Sequence, residues 1–197
     1  KRPSRMDLFT YMDDDIYRIC VSDSHAKENP FQHYLDFLYE LGELSEDEQK
    51  LYAGIGREFI QTIETTEMQK VYKMPILYSF YNHGNIRLAV TDEEVLESWK
   101  EFFDTGTNWK DFPNVNTYED YKKVTDKQHL SKAKRMPIRF LKASGKGFFV
   151  EKDGYALALR DEIGDVVGNM AFSEQMGDVL GYRSLEYYRR RYEGKDI

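Results

Sequence analysis

The chain has 197 residues, with 28 lysines and arginines against 35 aspartates and glutamates, a formal net charge of −7. That length is enough for one large domain or two small ones with a real core, and the acidic balance argues against a molecule that binds polyanions over its whole surface. Its 15 tyrosines and 12 phenylalanines exclude low-complexity disorder, and no apolar run approaches the roughly 18 residues that cross a membrane. A lone Cys20 forms neither a disulfide framework nor a cysteine metal site. It reads as a small, partly buried hydrophobe in a reducing, cytoplasmic setting. The opening "KRPSRMDL" has no secretory leader pattern and reads as a domain cut from a longer protein.

In "RPSRMDLFTYM", Met6, Leu8, Phe9 and Met12 recur at helical intervals, with Ser4 as N-cap and Asp7 in the first turn, and "DDD" at 13–15 breaks the helix. "NPFQHYLDFLYELGEL" predicts a second helix: Asn29 caps, Pro30 takes the first position, Phe31, Tyr34, Leu35, Leu38 and Leu41 form the stripe, and Gly42 closes it. Ser45 and Glu48 spell a capping box for a third. From about Arg57, "REFIQTIETTEMQKVYK" continues helical.

The stretch "YKMPILYSFYNHGN" runs from a Pro-started helix to a left-handed stop at Gly84 and Asn85, and "IRLAV" follows as a short strand. Thr91 with Glu94 caps the next helix, whose apolar face is Val95, Leu96, Trp99, Phe102 and Phe103. A polar, turn-rich connection spans about 104–127. "LSKAKRMPIRFLKAS" then repeats the Met-Pro-Ile grammar as a basic helix that Pro137 starts or kinks, ended by Gly145 and Gly147, with Ile138, Phe140 and Leu141 facing the core. The repetition reflects either shared local physics or an ancestral duplication. "FFVEKDGYALAL" predicts two strands joined tightly at Asp153-Gly154, and a Tyr/Arg-rich helix from about Ser173 closes the chain. The order helix, strand, helix, basic helix, hairpin is that of a winged-helix domain. The expected class is therefore mainly α (α+β), in three parts: a helical subdomain at 1–66, a winged-helix-like domain at 67–160, and a C-terminal helix at 161–197 packing on the core.

Catalytic patterns are weak. His25, His33, His83 and His129 lack metal-ligand spacing, and Asp13, Asp14 and Asp15 read as a solvated acidic turn, so neither metal nor cofactor is expected. "ASGKGFF" lacks the phosphate-loop pattern, Glu151, Lys152 and Asp153 sit at a hairpin tip, and no GxSxG elbow occurs. This chain alone is not expected to be an enzyme. Charge patterning is the stronger signal. Residues 122–146 carry nine lysines and arginines against Asp126 alone. Lys132, Lys134, Arg135, Arg139 and Lys142 spread over one broad side of the basic helix, with Lys146 and Lys152 flanking the wing. Such side chains contact phosphates and base edges. A second cluster, Tyr187, Tyr188, Arg189, Arg190, Arg191 and Tyr192, reads chiefly as dipole-favouring and packing residues of the last helix, and otherwise as a stacking surface for nucleobases.

Together "RPSRMDL", "ETTEMQKVYKMPIL", "KRMPIRFL" with "GFF", and "YRSLEYYRRRY" resemble the region that follows the motor in some bacterial superfamily 2 (DEAD/DEAH-type) helicase-like restriction and defence proteins. Some of those also carry a phospholipase-D-type nuclease. The resemblance implies an accessory or target-recognition region of a DNA-translocating or DNA-cleaving protein. No helicase ATP-binding motif and no HxK motif occurs here, so neither activity is expected of this chain. The leading expectation is DNA binding, to duplex that is plain or modified, alongside other domains of a parent protein and with no membrane. The alternative is a protein-interaction module whose acidic half docks on another domain.

Overall fold

The computed structural model describes residues 2–11 and 29–192. Asp13, Asp14, Asp15, Cys20 and His25 lie outside the described residues. In chain order the helices are α1 (Arg5–Tyr11), α2 (Tyr34–Glu40), α3 (Glu46–Tyr52), α4 (Ile55–Thr65), α5 (Lys73–Tyr81), α6 (Asp92–Asp104), α7 (Tyr118–Lys122), α8 (Asp126–Ala133), α9 (Arg139–Ser144) and α10 (Met170–Tyr192). The strands are β1 (Ala89–Val90), β2 (Phe149–Val150) and β3 (Leu157–Leu159). The described chain is thus mostly helical with one small antiparallel sheet. It forms two compact units, Glu67–Asp161 and the combination of Lys1–Thr66 with Glu162–Ile197.

In the unit formed by the chain's two ends, α10 packs against α1, α3 and α4. Ser4 and Asp7 cap α1 reciprocally: the Asp7 N–H donates to Ser4 Oγ at 3.1 Å and the Ser4 N–H donates to Asp7 Oδ2 at 2.9 Å. Ser45 and Glu48 form the expected capping box on α3. Phe9, Phe31 and Tyr182 make an aromatic cluster, with ring centroids 5.1 to 6.2 Å apart. Two local expectations are corrected. The Asn29 side chain accepts from the Phe31 N–H at 3.0 Å, but this turn precedes a helix that begins only at Tyr34, and Leu41 is 58% exposed. The helix expected to run on from Arg57 stops at Thr65, because Thr66 has turned to an extended conformation.

Beneath α1 lies a buried polar cluster with no counterpart in the sequence reading. Arg5 is fully buried. Its Nε donates to Glu64 Oε1 at 3.0 Å, and its Nη1 donates to Gln175 Oε1 at 2.7 Å and Asp178 Oδ2 at 2.8 Å. Its ring neighbour is Tyr34, 4.4 Å from the guanidinium to the centroid. Asp178 also accepts the Arg5 and Met6 backbone N–H groups, each at 3.0 Å, so one carboxylate of α10 caps α1 and neutralises its arginine. Gln175 Nε2 passes the chain on to Glu48 Oε1 at 2.9 Å, which also pairs with Arg2. Burial alone would lower the Arg5 pKa; the Glu64 and Asp178 charges outweigh it and hold the group above its ordinary value.

In the unit Glu67–Asp161, α5 packs on α6, and α6 packs on α8. Pro75 lies in the first turn of α5, where a missing N–H leaves no ladder bond unmade. The left-handed stop includes Gly84 as expected but begins two residues before it, at Asn82 and His83 (φ 43°, 52° and 97° for Asn82, His83 and Gly84), and Asn85 returns to negative φ. Thr91 and Glu94 form the capping box of α6, and Thr125 with Gln128 forms another on α8. The sheet order is β1-β3-β2, with Val90 opposite Leu157 and Phe149 opposite Leu159. The ribbon turn has Asp153 and Gly154 at its centre, closed by the Tyr155 N–H donating to the Lys152 carbonyl at 3.1 Å. Gly154 takes φ +82° and Asp153 stays negative, which is the pattern of a type II turn and not of the tight primed turns. Pairing therefore ends at Val150 and Ala158, leaving an open loop.

Pro137 does not begin a helix. It lies inside a π-helical turn, Lys134–Ile138, that joins α8 to α9 without a break. Proline supplies no N–H and its ring collides with the carbonyl four residues back, so the turn widens by one residue. The widening changes the register beyond it. Ile138 and Leu141 are buried as expected, but Phe140 is turned out, 43% exposed.

Candidate nucleic-acid interface

The helix α8–α9 and the β2–β3 ribbon carry the seven expected contact residues, and the structure sorts them. Lys134 Nζ pairs with Asp92 Oδ2 at 2.6 Å, and Lys142 pairs with Glu151, which ties the helix to the ribbon. The Lys142 ammonium holds the Glu151 carboxyl below its usual range. Lys132, Arg135 and Arg139, spaced three and four apart, meet no carboxylate among the described residues. Lys132 lies over the Tyr72 ring at 5.0 Å, and Arg139 lies over Phe140 at 5.5 Å. Lys146, at φ +50° between Gly145 and Gly147, and Lys152, 5.5 Å over the Tyr155 ring, are exposed and also lack a carboxylate there. One stripe of the helix is thus neutralised, and the neighbouring stripe, continuing into the two turns, is not.

The rest of residues 122–146 is less basic in effect than its composition. Lys122 and Lys123 pair with Glu119 and Asp120 within α7 and its cap, and Asp126 pairs with Lys100 at 2.8 Å. The second cluster belongs to the other unit. Arg189 lies over Phe9 at 5.0 Å, Arg190 pairs with Glu186 at 3.1 Å, and Tyr188 stacks on Tyr192 with Arg191 6.0 Å from that ring. These are packing roles within α10 and onto α1.

The turn-rich connection is not a bare loop. A 3-10 turn (Asn108–Asp111) and α7 fold Phe112 and Tyr121 onto His129, with ring centroids 4.9 and 5.6 Å away. His129 is buried, its Nδ1 has no hydrogen-bond partner among the described residues, and burial, then the Lys100 charge, lower its pKa. His33 neighbours Gln61 and Asp36, and His83 lies 3.4 Å from Glu101. No three His, Cys, Asp or Glu side chains among the described residues are arranged to hold a metal. No described helix is long and apolar enough to cross a membrane.

No protein-family model, curated protein or solved structure matches this chain.

Proposed function

We propose that Glu67–Asp161 is a winged-helix-like DNA-binding module. In this reading α5, α6 and α8–α9 are the three helices, β2–β3 is the wing, and β1 closes the sheet beside β3. The observation that carries the reading is the set of cations without carboxylate partners among the described residues: Lys132, Arg135 and Arg139 on the helix, then Lys146 and Lys152 on the turns that flank the ribbon. A cation left unpaired in an acidic protein is available to phosphate, and arginines in a groove read base edges as well. The module acts as an accessory or target-recognition part of a larger helicase- or restriction-type protein and performs no catalysis itself.

The test is binding of a short duplex as a function of salt. Log affinity falls linearly with log salt, and the double substitution Arg135→Ala with Arg139→Ala reduces the slope by about two. Absence of binding even at low salt overturns the reading. A second reading, docking to a protein, has its own support in the other unit, where Tyr39 and Leu41 at the end of α2 are 60% and 58% exposed. It predicts that Tyr39→Ser with Leu41→Ser abolishes association with a partner domain and leaves DNA binding unchanged.

A further inference from the structure

Lys70, Lys132 and Tyr72 converge at one place beside α8. Lys132 Nζ lies 5.0 Å over the Tyr72 ring and 3.4 Å from Met136 Sδ, so its stem runs along the molecule and only its head is presented. The Tyr72 hydroxyl donates to the Asp111 carbonyl at 2.7 Å. The Asp111 carboxylate in turn has Lys70 Nζ 3.9 Å away, at the outer limit of an ion pair. Arg135 follows Lys132 by three residues, one turn along the same helix.

We propose that Lys70, Lys132 and Arg135 form a seat for a phosphate group, built by two separate segments of the chain around the Tyr72 ring. It rests on the DNA-binding reading for its natural occupant, a backbone phosphate, but its chemistry also admits free phosphate. Lys70 lies outside the basic run and comes to it only through the fold. Lys70 and Arg135 are both close enough to act on the Lys132 charge; Lys70 has the Asp111 carboxylate 3.9 Å away, and no carboxylate partner reaches Lys132 or Arg135 among the described residues. The two lysines supply rotatable donors and Arg135 a planar fork, a set that matches the oxygens of a tetrahedral anion. Lys132 records the unrelieved repulsion: burial first, then Arg135 and Lys70, hold its pKa below the ordinary lysine value. An anion in the seat reverses that shift, and by linkage its affinity rises as Lys132 becomes fully protonated.

The experiment is an NMR titration of the lysine side chains in the whole chain, with and without inorganic pyrophosphate, and then with a duplex oligonucleotide. Pyrophosphate is expected to move the Lys132 midpoint upward, and Lys70→Gln, in a variant whose urea unfolding shows it folded, is expected to remove most of that movement. With duplex, Lys70→Gln and Lys132→Gln each reduce the salt slope by about one. If pyrophosphate moves Lys132 and duplex does not bind, the seat stands for free phosphate and the DNA reading falls. If duplex binds with the same slope in both variants and neither probe moves Lys132, the seat is overturned and the DNA reading survives.

Discussion

Arg5 shows how much one side chain can organise. A guanidinium with no solvent contact is tolerable only because Glu64, Asp178 and Gln175 take up its donors, and removing it leaves the buried Glu64 carboxylate and its neighbour Asp178 without their counter-charge. Arg5→Ala is therefore expected to cost about 3–5 kcal/mol in urea unfolding. Arg5→Lys keeps the charge but loses the fork, and is expected to recover only part of it. Nothing in "RPSRMDL" announces this role, because a surface arginine and a buried one are spelled alike; Ser4 and Asp7 were legible, since capping is local. His129 is the matching residue of the other unit. Phe112 and Tyr121 cover it, and the nearby charged groups are Lys100, Asp104 and Asp126. Its folded pKa lies below the unfolded 6.5, so the unfolded chain binds the proton more readily. Its contribution to stability is complete above about 6.5 and is lost as pH falls toward the lowered folded value. His129→Gln should flatten that part of the pH dependence of unfolding.

At the scale of elements, the capping boxes at Ser45 and Thr91 were read correctly because each is a four-residue pattern with a local hydrogen-bond answer. Thr91→Ala is expected to cost about 1 kcal/mol. The π turn at Lys134–Ile138 is different in kind. A proline there has three local outcomes, a start, a kink or a widened turn, and packing chose the third, sending Phe140 outward and bringing Pro137, Ile138 and Leu141 in. The turn that follows depends on two glycines for opposite reasons. A methyl at Gly145 would run into the Phe149 ring and the Leu141 carbonyl, whereas Gly147 has open space and only its φ of +77° resists a side chain. Gly145→Ala should destabilise by about 1–3 kcal/mol and loosen the β2 amides in hydrogen exchange. Gly147→Ala should cost about 1–2 kcal/mol and leave those amides protected.

Across the whole molecule the two units answer acid differently. In the unit formed by the chain's ends, Arg2 and the Ser45 backbone hold the Glu48 carboxyl below its ordinary 4.5 despite burial. That contribution is present above 4.5 and disappears as pH falls through the lowered folded value. Trp99 and Trp109, the two tryptophans of the chain, both belong to Glu67–Asp161, so indole fluorescence reports that unit alone. On acidification from neutral pH, the urea midpoint followed by indole fluorescence is expected to fall first, beginning near 6.5, while hydrogen-exchange protection in α10 holds until below about 4.5. Simultaneous loss of both signals would show that the units unfold as one.

The capping boxes, the existence of most helices and the basic composition of residues 122–146 follow from local rules: hydrophobic period, capping chemistry and turn residues act over four to eight neighbours, and a linear text displays them. Which bases among the described residues remain without a carboxylate, why Arg5 is buried, and how Lys70 comes beside Lys132 depend on pairings across the chain, such as Lys134 with Asp92, 42 positions away, and Arg5 with Asp178, 173 away. Those pairings are set by how helices stack and which charges a stacked face can neutralise, and that is decided only when the chain closes on itself.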